Sequence, residues 1–158
     1  MPKQHWLMKS EANVFSIDDL KSSPDGTAHW DGVRNYKARN YMRDEMKVRD
    51  VVLFYHSNID PSVVGTATVV RESYPDHTAW NKRGKYYDPK SPKDNPRWFM
   101  VDVKFTSKLP RPLPLAELRG IPELEGMVLL KKGMRLSVQP VTADEYSVLV
   151  ALAKKRPR

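Results

Sequence analysis

An α+β fold is predicted, a small mixed barrel whose curved sheet closes on itself and whose ends are plugged by helices. Several short apolar or alternating runs read as strands and two or three short stretches read as helices. The two kinds do not alternate in the manner of a doubly wound sheet. Closure would also remove the unpaired edges that an open sheet exposes. At 158 residues the chain has the usual size of one domain and can bury a core without metals or cross-links. Residues 1–153 are read as that domain and 154–158 as a basic tail.

The elements follow in order. HWLMKS is apolar at Trp6, Leu7 and Met8 and turns polar at Lys9, Ser10 and Glu11, which predicts a short buried strand with polar residues at its end. Ser16 is placed to cap a short helix with Asp18 and Asp19 in its first turn, and SSPDG to end it. In WDGVRNYKARNYMR, Trp30 to Arg43, the pair Asp31-Gly32 signals a turn. From Val33 onward Ala38, Met42 and Met46 recur at four-residue spacing, and Asn35, Arg39, Arg43 and Lys47 do so on another face. That pattern predicts an amphipathic helix with a basic outer face.

VRDVVLFYHS and VVGTATVVRES read as a hairpin turned by SNIDPS. RWFMVDVKF is the clearest strand, with Phe99, Val101, Val103 and Phe105 alternating with Trp98, Met100, Asp102 and Lys104. MVLLKKGMRLSVQPV reads as two more short strands turned by KKG, the second ended by Pro140. In TADEYSVLVALA, Thr142 and Glu145 have capping-box spacing ahead of an apolar stripe of Tyr146, Leu149, Val150 and Ala153, the pattern of a terminal packing helix.

Two segments resist regular structure. Residues 73–97 are polar and proline-rich but carry Tyr74, Trp80, Tyr86 and Tyr87, so an ordered functional loop is expected rather than disorder. LPRPLPLAELRGIPELEG reads as a proline-punctuated connection with a short helix at Leu115 to Arg119.

Composition narrows the function classes. The formal net charge is +8, which favours polyanionic partners, although the final KKRPR supplies four of the cations and no acid. A solubilising tail is the competing reading of those cations. Absence of cysteine excludes disulfides, thiolate nucleophiles and cysteine-ligated metal sites. The first residues, MPKQHWLMKSEANVF, lack the apolar run of a signal peptide, and VLVALA is far too short to span a bilayer. A soluble intracellular protein without membrane association is expected. GxGxxG, the P-loop pattern, HExxH and GxSxG are all missing, so dinucleotide, P-loop, zincin and serine-hydrolase readings have no motif support.

The residues instead form a binding vocabulary. Flat aromatics (Trp30, Tyr74, Trp80, Trp98) occur near cations (Lys9, Arg34, Arg39, Arg97) and near amides or hydroxyls (Ser10, Asn35, Ser57, Asn58, Ser137, Gln139). Aromatic faces stack bases, amides and carboxylates read base edges, and arginines hold phosphates. Glu11, at a strand end, could accept from an exocyclic amino group. His56, in FYHSN beside Tyr55, is readable either as a general base or ligand donor, or as a structural residue tying down the hairpin turn.

The run WLMKSEANVFSIDDL, then WDGVRNYKARNYMR, FYHSN, VVGTATVV, YPD, YYDPKS, NPRWFMVDV and LSVQPV closely resembles the EVE domain family, in that family's order and over nearly the whole chain. The resemblance implies a PUA-like curved or closed barrel with peripheral helices, allied to PUA, ASCH and YTH domains. It further implies a non-catalytic module that reads a modified nucleobase, with modified cytosine in DNA foremost. No cofactor is expected, and a monomer is expected because nothing in the sequence marks an obligate interface. Location would be cytoplasmic or nucleoid-associated in a bacterium and nuclear in a eukaryote.

By that resemblance Lys9, Ser10 and Glu11 start the pocket and Trp30 is its first aromatic wall, with Tyr74, Trp80 and Trp98 competing for the second. Tyr55, His56, Ser57 and Asn58 match the strand along the pocket, and Ser137 and Gln139 its last strand. In the binding reading of the residues themselves, Asn35 is expected beside the pocket, and Arg34, Arg39, Arg97 and Lys9 are expected to meet flanking phosphates. The family's usual proline after the glutamate is Ala12 here, which predicts a less rigid loop with one more N–H donor. Two other readings stand beside this one: a PUA-like module for structured or modified RNA, and an enzyme acting on RNA or a nucleotide through His56.

Overall fold

The computed structural model describes residues 3–155. The first two residues and the last three of the expected basic tail lie outside the described residues. Six strands, β1 (His5–Ser10), β2 (Thr27–His29), β3 (Val51–His56), β4 (Ser62–Pro75), β5 (Phe99–Pro114) and β6 (Val138–Val141), form one sheet in the order β2-β5-β4-β3-β1-β6. Four α-helices accompany them: α1 (Ile17–Ser22), α2 (Tyr36–Asn40), α3 (Leu115–Leu118) and α4 (Ala143–Ala153). The α+β class is as expected. Among the described residues no helix is long and apolar enough to cross a membrane.

The expected closure is corrected, because the pairing leaves β2 and β6 as two ends and the sheet does not close. Burial takes the place of closure. Trp6, Met8, Val52, Phe54, Ala67, Val69, Val101 and Val103 point to one face, where Ile17, Leu20, Ala38, Met42 and Met46 cover them. Leu7, Leu53, Tyr55, Val63 and Leu113 point to the other, under Leu118, Leu149 and Leu152. Strands buried on both faces need apolar residues at consecutive positions, which is why HWLMKS shows little alternation. The end strands are only three and four residues long, so little unpaired backbone is offered to other chains.

Local signals held where their partners are close in sequence. Ser16 and Asp19 form a reciprocal capping box on α1, and Thr142 and Glu145 form one on α4. β3 and β4 make the expected antiparallel hairpin. Other expectations changed. The amphipathic helix begins only at Tyr36, because the Asn35 side chain accepts from the Ala38 N–H and caps it there, and a π-helical turn over Tyr41–Glu45 follows. Val128–Leu130 is a 3-10 turn rather than a strand. Pro140 lies inside β6 instead of ending it, a position open to proline on an edge strand. β5 runs on to Pro114 through the segment expected to be a connection, and β2 has too few residues to show a pattern.

The long loop after β4 is ordered around Asp76, which is 1% exposed. Its carboxylate accepts from the Gly32 N–H at 2.8 Å, Arg34 Nη1 at 3.0 Å, the Thr78 N–H at 2.9 Å and the Thr78 hydroxyl. Arg34 reaches across the loop as well, its Nη2 donating to the Tyr86 carbonyl at 2.7 Å. Burial alone raises the Asp76 carboxyl. The hydrogen bonds from Thr78, Gly32 and Arg34 outweigh that, and its pKa lies below the ordinary value. Gly32 has φ +77°, and the Tyr86 ring occupies the place of a side chain, 2.5 Å from where a Cβ would stand. Trp30 is fixed just ahead of this turn by its N–H donating to the Val101 carbonyl at 2.7 Å.

Two outcomes are expected. Gly32→Ala lowers stability by about 2–3 kcal/mol in denaturant titrations, combining left-handed strain with an overpacked contact. The loss shrinks when Tyr86 is also alanine; full additivity of the two changes would show that the ring is not the obstacle. Because the folded Asp76 carboxyl is depressed, its contribution is full above the unfolded carboxylate range, near pH 4, and is lost as pH falls through the folded value. Stability of Asp76→Asn measured against pH therefore flattens on the acid side relative to wild type.

Candidate functional site

Three strand ends meet at one place. Lys9 and Ser10 end β1, and the Ser57 N–H donates to the Ser10 carbonyl at 3.0 Å directly after β3. The Lys9 N–H donates to the Ser137 carbonyl at 2.8 Å directly before β6. Ser10 Oγ donates to the Phe15 carbonyl at 2.6 Å and folds the intervening loop inward. Phe15 then meets the Trp30 ring edge-on, with centroids 6.4 Å apart. Phe54 supports Trp30 from the sheet at 5.4 Å.

These groups border an open cavity of about 840 Å³, within the ordinary range of small-ligand sites. Its lining includes Lys9, Ser10, Glu11, Phe15, Ala28, His29, Trp30, Asp31, Gly32, Ser57, Lys85, Tyr86, Arg135 and Ser137. Residues from β2 and from the approach to β6 share it, so the cavity opens where the two ends of the sheet fail to join. Trp30 is 7% exposed. It is a core residue and a cavity residue at once.

The electrostatics are mixed. Lys9 is half-buried and its Nζ donates to the Met134 carbonyl at 3.3 Å; burial lowers its pKa. Asp31 has its pKa raised by burial, with His29, 3.7 Å away, acting in the opposite direction. Lys85 and Arg135 add two further cations, and Glu11 is exposed. The lining offers flat apolar surface, hydroxyls, two carboxylates (Glu11 and Asp31) and three cations (Lys9, Lys85 and Arg135).

Of the residues singled out by sequence, Lys9, Ser10, Glu11, Trp30, Ser57 and Ser137 are brought together on the cavity. The others are held elsewhere. Asn35 is the α2 cap, and Tyr55 packs on the opposite face of the sheet. His56 Nε2 accepts from the Ile17 N–H at 3.1 Å, so it ties the start of α1 to β3, and burial lowers its pKa. Asn58 accepts from the Ala12 N–H, and Gln139 is fully buried with its amide donating to the Leu136 carbonyl.

None of the three competing aromatics lines the cavity. Tyr74 donates to Asp102 beneath Arg71, and both burial and that carboxylate push its pKa up to about 12. Trp80 donates to the Ser91 carbonyl and Trp98 to Asp88, each bracing the loop. Nor are two of the three arginines open cations. Arg34 is paired with Asp76, and Arg97 lies 3.8 Å from Asp88. Arg39 donates to the Arg97 carbonyl and to the Asn40 side chain.

Tyr86 is the loop aromatic on the cavity, and it was missed. Its neighbours in KRGKYYD, an aromatic pair among cations, were the available signal. His29, Asp31, Lys85 and Arg135 were missed with it; Lys85 belongs to the same KRGKYYD run and Asp31 to the Asp31-Gly32 turn, whereas no local pattern marks His29 and Arg135.

The EVE domain family model matches residues 4–152. Human thymocyte nuclear protein 1 is 44% identical over 171 residues, covering 97% of this chain and 75% of that protein. The structure of human THYN1 protein in complex with 5-methylcytosine-containing DNA superposes with a TM-score of 0.92 at 44% identity, covering 98% of this chain and all of that one. A hypothetical protein from Leishmania major gives a TM-score of 0.91 at 49% identity, covering 97% and 96% of the two chains. With the family model spanning nearly its whole length, this chain belongs to the EVE domain family.

Proposed function

We propose that this protein is a nucleic-acid-binding reader that receives a modified nucleobase, foremost a modified cytosine in DNA, in the cavity bordered by Trp30 and Tyr86. The observation that carries the reading is the presence of two aromatic residues from different segments on one cavity with a cationic rim of Lys9, Lys85 and Arg135. The human neighbour, described as bound to 5-methylcytosine-containing DNA, supports the ligand class.

The magnitudes agree with that arrangement. Taking a base out of its stack costs a few kcal/mol, and one aromatic face contributes about 1–3 kcal/mol, so a single wall is barely sufficient. A second wall and phosphate contacts supply the surplus. Glu11, exposed at the mouth, accepts from an exocyclic amino group, and the hydroxyls of Ser57 and Ser137 offer further edge contacts. His56 does not serve as a base here, because its Nε2 is already an acceptor for backbone.

Matched DNA and RNA oligonucleotides with modified and unmodified cytosine and adenine test the reading. Tyr86→Ala is expected to weaken binding of the modified oligonucleotide by roughly five- to 150-fold, the loss of one stacking face. Trp30→Phe, which spares the core, weakens it less. Lys155→Ala has only a small, salt-dependent effect. Equal losses in all three variants, or affinity indifferent to modification, would sink the proposal in favour of general adhesion or recognition of RNA shape.

A further inference from the structure

A column of rings and a guanidinium leads from the cavity wall to the outer surface. The Arg34 guanidinium lies 5.6 Å from the Tyr86 ring centroid and 5.4 Å from that of Trp98. Trp98 in turn stacks on Tyr36, with centroids 5.0 Å apart and planes inclined by 22°. Tyr86, Arg34 and Trp98 are held by the loop's own bonds, and Trp98 is 5% exposed. Tyr36 is different: it is 52% exposed, a large aromatic at the first position of α2 left half in solvent.

Charge accompanies that ring. The Arg39 guanidinium lies 4.8 Å from the Tyr36 centroid and 6.0 Å from that of Trp98. Its hydrogen bonds go to the neutral oxygens of Arg97 and Asn40, so its positive charge is not cancelled by them. Lys37, next to Tyr36, is exposed. A ring held against a buried tryptophan, with a cation beside it, is the pairing that stacks unpaired bases and follows their phosphates.

We propose that Tyr36 and Arg39 form a second, outer platform that stacks an unpaired nucleobase a few nucleotides away from the one in the cavity, on the same strand. This rests on the cavity receiving a nucleotide, since the column starts at its wall. It adds a site on a different element, with a different demand on the ligand. The cavity requires one suitable base, whereas the platform requires a single-stranded flank of any sequence, because every base presents a π-face.

Binding is measured for wild type, Tyr36→Leu, Tyr36→Phe and Tyr86→Ala with two probes: the modified mononucleotide alone, and a single-stranded oligonucleotide carrying it with flanks on both sides. Tyr36→Leu keeps apolar cover over Trp98 and removes only the ring, and thermal unfolding checks that it folds. Expected for Tyr36→Leu is unchanged mononucleotide binding and a roughly five- to 150-fold loss with the oligonucleotide, which Tyr36→Phe restores. Arg39→Gln is expected to lower the salt dependence of oligonucleotide binding. If Tyr36→Leu binds the oligonucleotide as wild type does while Tyr86→Ala is weakened, the platform is overturned and the cavity reading survives. If wild type binds neither probe, both fall.

Discussion

The buried Asp76 carboxylate is the constraint on which the cavity depends. A charge taken out of water must be matched by donors or it destabilises the fold. Its donors are drawn from both sides of the site: the Gly32 N–H from the turn after Trp30, and the Arg34 guanidinium that also holds the Tyr86 carbonyl. One ion pair therefore positions both aromatic residues. Asp88 repeats the arrangement further along the loop, accepting from Trp98 Nε1 at 2.6 Å and the Lys90 N–H at 2.9 Å. A loop rich in lysine and proline is ordered by polar bonds to buried or half-buried acids, alongside the packing of Trp80, Tyr86 and Trp98.

That solution changes which cations can meet an anion. Arg34 and Arg97, which precede or follow conspicuous aromatics, are committed to Asp76 and Asp88. The rim cations Lys85 and Arg135 have no acid of this kind among the observed ion pairs of the described residues. Lys9 is partly desolvated beside the cavity, and a cation in that state interacts more strongly with an incoming anion than one in bulk water does. The charges that order the loop are thus separate from the cations that line the cavity, Lys9, Lys85 and Arg135.

Legibility in the sequence followed the distance between partners. The caps at Ser16 and Thr142, the β3–β4 hairpin and the polar end of β1 were readable because their signals and partners lie within a few residues. Trp30 on the cavity followed from the resemblance of its neighbourhood, since its turn alone suits a core residue equally well. Tyr86 was passed over for Tyr74, Trp80 and Trp98, since what distinguishes it is packing on Gly32, some fifty residues away in the chain. The open sheet was equally hidden. Apolar runs in β1 and β3 suit either a closed barrel or an open sheet covered on both faces, and only the long-range pairing, which leaves β2 and β6 as ends, decides between them.

Ala12, standing where the family resemblance leads to the expectation of a proline, shows how such a departure can be offset. Replacing the usual proline frees a backbone dihedral, which by itself loosens the loop that carries Glu11. The N–H that proline would lack donates to Asn58 Oδ1 at 3.2 Å, and Asn58 Nδ2 donates onward to Asn13 Oδ1 at 2.7 Å. The Glu11 carbonyl meanwhile accepts from the Val14 and Phe15 N–H groups at 3.0 and 2.9 Å. A ring constraint is replaced by hydrogen bonds to the residue after Ser57, so the loop is referenced to the end of β3. The backbone of Glu11 is held while its side chain stays exposed on the lining of the cavity.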